Sequence, residues 1–147
     1  MAAKVFVDTN VLVYSRDASE PQKQAQAMDW LRHLWNTHTG RLSYQVLQEY
    51  YITVTEKLDP GLDHESARRD IRSLLPWHPI AADNRVFDSA WHIQDRFGLS
   101  WWDALIVSAA QVSDCHYLLT EDLQEGQMFG DLKIINPFQT APETLES

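Results

Sequence analysis

An α/β sandwich, a central parallel sheet flanked by helices, is the fold class this sequence predicts, and three observations predict it. Short strand-like runs recur at Val5 to Val7, His116 to Thr120 and Leu132 to Ile135. Segments with helical apolar spacing separate the first from the others, and strands so separated pair in parallel through right-handed crossovers. At 147 residues the chain suits one domain, able to bury roughly two-thirds of the surface its unfolded form exposes. That domain is expected over residues 1–139, and residues 140–147, with Pro142 and little to bury, are expected to fray.

The elements follow in order. Val5-Phe6-Val7 is an unbroken apolar run ending at Asp8, the pattern of a strand buried on both faces. Ala25, Met28, Leu31 and Trp35 make one stripe of a helix over about Pro21 to Asn36, which Gly40 is expected to close. Ser43 can cap a helix in which Leu47, Tyr50, Val54 and Leu58 repeat until Asp59-Pro60-Gly61 forces a turn. Asp63 opens a shorter helix carrying Ile71, Leu74 and Leu75, ended by Pro76. His78 to Ala81 is a weak strand candidate. Asp83 caps a helix bearing Val86, Phe87, Ala90, Ile93 and Phe97 before Gly98, and Ser100 begins another that runs to about Val112. The last two strands are joined by a polar loop around Gln124 to Phe129.

Composition narrows the setting. The single cysteine, Cys115, adjoins the apolar run Tyr117-Leu118-Leu119 and reads as a buried thiol in a reducing compartment. No stretch has the apolar length of a membrane span, and residues 1–7 lack a signal-peptide core, so a cytoplasmic location without membrane contact is the expectation. The formal charge of −9 opposes unaided binding to a phosphate backbone, but metal-bound carboxylates would cancel part of it. An acidic surface also suits a basic protein partner.

Polar residues beyond the carboxyl ends of parallel strands are the first place to seek chemistry. Asp8 follows the first strand directly, and Asp122 lies just past the strand ending Leu118-Leu119-Thr120. Glu49 sits beside the apolar stripe of its helix. Asp103, flanked by Trp101, Trp102, Ala104, Leu105 and Ile106, is costly in such company unless paired, hydrogen-bonded or bound to a metal. Each has a plain alternative: Asp8 as a turn residue, Ser100 and Asp103 as a capping box, Glu49 as a solvated helix residue, Asp122 as a loop residue. Together they offer a hard divalent cation the oxygen ligands it prefers, and such cations cleave phosphodiesters. None of the six histidines has zinc-site spacing.

Four segments carry a resemblance, in order. Val7-Asp8-Thr9-Asn10-Val11-Leu12, Ser43 to Tyr50, Trp102-Asp103-Ala104-Leu105-Ile106 and Leu118-Leu119-Thr120-Glu121-Asp122-Leu123 resemble the signature of PIN-domain nucleases. The likeness spans Val5 to Ile135, and the short chain resembles VapC-like toxins of type II toxin-antitoxin pairs more than larger processing enzymes. It implies a three-layer PIN-like sandwich and an endoribonuclease in which Asp8, Glu49, Asp103 and Asp122 surround Mg²⁺ or Mn²⁺. Thr9, Asn10 and Thr120 would support the metal or the scissile phosphate, and water would attack in line to leave a 5′-phosphate. Glu121 and Glu125 are near enough in sequence to replace Asp122, which fits the T-x-D pattern better. The implied partners are RNA, an antitoxin that lays a segment across the groove, and a second copy of the chain.

Arg68, Arg69 and Arg72 form the one basic cluster and are the candidate contact to an RNA backbone. Trp30, Trp35 and Trp91 fall on helices with apolar stripes, so core packing or a subunit interface is expected of them rather than base stacking. A phosphatase of the haloacid dehalogenase kind is a poorer fit, since Asn10 stands where its second aspartate belongs. A catalytically inactive PIN-like module binding a basic peptide is the remaining rival.

Overall fold

The computed structural model describes residues 2–145. Val5–Val7 form β1 with all three side chains buried. Asp8 then turns the chain into α1 (Thr9–Tyr14), a short helix additional to those the pattern predicts. Its carboxylate accepts the Thr9 N–H at 2.7 Å, so the residue that ends the strand also caps the helix. Helix α2 (Pro21–Thr37) buries Ala27, Trp30 and Leu34. Its C-cap is His38, left-handed at φ 58°, and not Gly40.

Gly40 lies instead in a two-residue strand, β2 (Gly40–Arg41), and packing demands it: an added Cβ would stand 2.7 Å from the Trp77 ring. Gly40→Ala is therefore expected to cost about 1–3 kcal/mol by overpacking, read as a lower melting temperature. An unchanged melting curve would mean that Trp77 yields freely.

Ser43 caps the next helix by accepting the Val46 N–H. That helix, α3 (Tyr44–Ile52), stops short of the expected Leu58, and a π-helical turn over Thr53–Lys57 follows. Thr55 donates to the Tyr51 carbonyl at 2.7 Å, a side-chain bond that competes with the regular ladder. Helix α4 (His64–Leu74) is capped by Asp63, and a 3-10 turn over Leu75–Trp77 absorbs Pro76 near its start, where the missing N–H is harmless. The strand expected near His78 shrinks to one bridge between Ser43 and Ile80, because Pro79 cannot extend a ladder. Helices α5 (Asn84–Phe97) and α6 (Trp101–Val112) have the predicted caps, Asp83, Gly98 and Ser100. Buried Ser108 joins them by donating to the Val86 carbonyl at 2.7 Å.

The chain closes through β3 (Tyr117–Leu119), β4 (Met128–Phe129) and β5 (Leu132–Ile135). β4 lies in the segment expected to be a plain loop and pairs antiparallel with β5. Strand order is β2-β1-β3-β5-β4, parallel except for β4. Right-handed connections that step from β1 to β2, then back past β1 to β3, must lie on opposite faces of the sheet. This is the predicted sandwich of helices about a mostly parallel sheet.

Trp30 is fully buried, but Trp35 and Trp91 are 45% and 51% exposed. Beyond residue 139, the Thr140 carbonyl accepts from the Trp30 indole, the Thr140 hydroxyl donates to Glu125, and Pro142 is buried. Glu146 and Ser147 lie outside the described residues.

Candidate active site

The reversal of direction between β2 and β3 leaves a crevice at the carboxyl ends of β1 and β3, the usual ligand position in such sheets. Register pairs Val7 with Leu119, so the next residues, Asp8 and Thr120, stand side by side at its mouth. Thr120 Oγ1 donates to Asp8 Oδ2 at 2.8 Å and accepts the Asp122 N–H at 3.1 Å. Asn10 Nδ2 lies 3.2 Å from Thr120 Oγ1, 3.1 Å from Asp122 Oδ2 and 3.5 Å from Asp8 Oδ2. Asp8, Asn10, Thr120 and Asp122 thus form one hydrogen-bonded unit.

Thr9 faces the other wall. Its hydroxyl donates to Glu49 Oε1 at 3.5 Å, and Gln45, one turn earlier on α3, donates to the same oxygen at 3.2 Å. Asp103 occupies the first turn of α6, where its N–H is capped by Ser100 at 3.2 Å. It is partly exposed, because the wholly buried stretch of α6 begins only at Ala104. The costly apolar enclosure expected from its neighbours is therefore not what surrounds it. The charge of Asp103 still reaches Asp122, whose pKa is raised first by burial and further by Asp103 and Glu121.

Asp8 carries the strongest perturbation of the four acids. Burial pushes its carboxyl from 3.8 up to about 7, against the pull of hydrogen bonds from Thr120 and Thr9, and the charges of Asp122 and Glu49 add to the rise. Glu121 and Glu125 do not take Asp122's place in the network. Glu121 pairs with Lys23 at 3.0 Å, while Glu125 accepts the Asn136 N–H at 3.1 Å and the Thr140 hydroxyl at 2.7 Å.

The donor set suits a hard divalent cation, being carboxylate, amide and hydroxyl oxygen. Among the described residues, the buried Asn10 Oδ1 has no hydrogen-bond partner, which leaves an oxygen free for a cation or its bound water. As they stand, no three carboxylates among the described residues are drawn close enough to hold an ion.

Arg68, Arg69 and Arg72 stand elsewhere, on α4. Arg68 donates to the Tyr51 hydroxyl at 3.2 Å and Arg72 pairs with Glu65 at 3.0 Å; among the described residues none of the three touches the acids. The sequence reading missed Gln45, although its place four residues before Glu49 is the spacing of helix neighbours. Lys23 left no local signal, since its partner Glu121 is distant in sequence.

Fold and crevice together define a class, an α/β sandwich that collects acids where its crossover direction reverses. The chain belongs to the PIN domain family: residues 5–124 match the family's model. Members of that family are generally nucleases. Among solved structures, a toxin-antitoxin complex from Klebsiella pneumoniae is similar at TM-score 0.66 and 14% identity, covering 91% of this chain and 98% of that one. VapBC2 from Rickettsia felis, bound to a DNA fragment from the promoter of the pair, is similar at TM-score 0.60 and 19% identity, covering 88% and 96%. At these identities the likeness is one of fold. Comparison with curated proteins returns no match. No described helix is long and apolar enough to cross a membrane.

Proposed function

We propose that this chain is a metal-dependent endoribonuclease and the toxin of a toxin-antitoxin pair. One observation carries the reading: Asp8 and Asp122, far apart in sequence, share the Asn10–Thr120 unit at one crevice, with Glu49 and Asp103 on its walls. Asp8, Asp122, Glu49 and Asp103 would hold the ion, and Asn10 Oδ1 adds a neutral oxygen. When bound, Mg²⁺ or Mn²⁺ supplies an acidified water and offsets charge on the phosphate. Thr120 and Thr9 orient Asp8 and Glu49, and burial keeps bulk water from Asp8.

The acidic crevice suits a basic segment of an antitoxin, in keeping with the paired proteins in the similar structures. The exposed rings of Phe87 and Trp91, clustered with Trp101, suit burial against a second copy of the chain. A cytoplasmic setting fits the lone Cys115, a buried free thiol whose pKa burial pushes up to about 12.

The test is cleavage of a panel of structured RNAs by the purified chain. Activity is expected with Mg²⁺ or Mn²⁺ and none in excess chelator. Full activity in chelator would rule out the mechanism. Tight antitoxin binding without cleavage of any RNA would favour an inactive binding module.

A further inference from the structure

We infer that Asp70 is a positioning residue that sets where Glu49 stands relative to Asp8, an inference that rests on the nuclease reading above. Asp70 belongs to α4, and its contacts lie away from the acids. Its two oxygens take Arg16 Nε at 2.9 Å and Nη2 at 2.6 Å, a forked ion pair, and Oδ2 also accepts the Tyr50 hydroxyl. Arg16 lies two residues beyond the end of α1, and Tyr50 is the neighbour of Glu49 on α3. Asp70 therefore ties the far end of α1 to α3.

That tie matters because the near one is loose. At the crevice the hydrogen bond from α1 to Glu49 is that of the Thr9 hydroxyl at 3.5 Å, the outer limit of such a bond. Helix α1 has six residues, too few to hold a direction in water alone, so its axis is set by the burial of Val11 and Leu12 in the core together with what its two ends are fastened to. Its first end is fastened to the sheet through Asp8 and Thr120. Its other end is fastened through Arg16 to Asp70, and Asp70 in turn grips Tyr50, which is 2% exposed and needs an acceptor inside the fold. Cutting this link removes the polar tie that fixes how α1 and α3 sit on their shared apolar packing, so Glu49 can shift at the crevice while every acid remains present.

The link borders an open cleft of about 410 Å³ between α1, α2 and α4, so water can serve Arg16 when Asp70 is altered and the fold survives the change. The experiment compares the parent chain with Asp70→Asn, Tyr50→Phe, their double variant and Arg16→Lys. Folding is checked by cooperative melting, Mn²⁺ binding by the ion concentration that half-saturates the thermal shift, and turnover by kcat and KM on RNA.

Asp70→Asn and Tyr50→Phe are expected to lower kcat about tenfold or more, leave KM for RNA within about twofold and raise the Mn²⁺ midpoint severalfold. The double variant should be no worse than Asp70→Asn, since both cut one link, and Arg16→Lys, which keeps the charge without the fork, should fall between. A folded Asp70→Asn chain with parental kcat and Mn²⁺ midpoint overturns the proposal, as do losses that multiply in the double variant. A parent chain that cleaves no RNA sinks the nuclease reading instead. Positioning is then decided by the Mn²⁺ midpoint alone, a shift in Asp70→Asn supporting it and none refuting it.

Discussion

In chelator at pH 8, Asp8→Asn is expected to melt at a higher temperature than the parent chain, and to be inert on RNA once Mn²⁺ is restored. The opposite signs share one cause. The folded-state pKa of Asp8, about 7, lies above its ordinary 3.8, so the folded chain holds this proton more tightly than the unfolded one. Ionising the buried carboxyl therefore costs stability, beginning as pH rises past about 4 and reaching its full value above about 7. Asparagine avoids that cost and can still cap α1 and meet the Thr120 hydroxyl, which is free to rotate. The gain should be about 2–4 kcal/mol at pH 8 and vanish near pH 4. Activity should fall at least a thousandfold by order of magnitude, since the most enclosed of the four acids no longer carries charge. A variant no more stable than its parent at pH 8, or one that still turns over RNA, would contradict the assignment.

Thr120→Val tests the centre of the unit rather than its acids. The substitution keeps the shape and deletes one hydroxyl that donates to Asp8 and accepts from Asn10 and Asp122. Valine leaves the buried Asp8 with one donor fewer and the Asp122 N–H without its acceptor, a loss of about 1–3 kcal/mol in stability. Cleavage should drop about 10- to 100-fold, the usual scale for a residue that orients metal ligands. Thr120→Ser, which restores the hydroxyl, should recover most of both. If valine is tolerated at full rate, the hydroxyl has no part in holding Asp8 and Asp122 together.

Much of this was readable from residues because local physics decides it. The apolar run Val5-Phe6-Val7 and the caps Ser43, Asp63, Asp83, Ser100 and Gly98 behave as their chemistry dictates, each within its own turn. The pairing of Asp8 with Asp122 was foreseeable as well, since both follow parallel strands that lie next to each other. What escaped depends on contacts distant in sequence. Gly40 looks like a helix stop, yet Trp77, remote in the chain, is what excludes a side chain there. Trp35 and Trp91 lie on striped helices, yet which of them would enter the core of the single chain was not readable, and both are about half exposed in it. Asp103 appears enclosed when only its neighbours are read, whereas the turn of α6 leaves it at the rim. The arginines of α4 marked a patch of charge, and the sequence did not show that Arg68 would donate to the Tyr51 hydroxyl.

Both outer strands, β2 and β4, are two residues long, and β4 runs against the grain of its neighbour. A newcomer chain seeking to zip onto either rim finds scarcely one repeat of backbone to template on. The sheet is thereby closed to runaway stacking by the brevity of its rims.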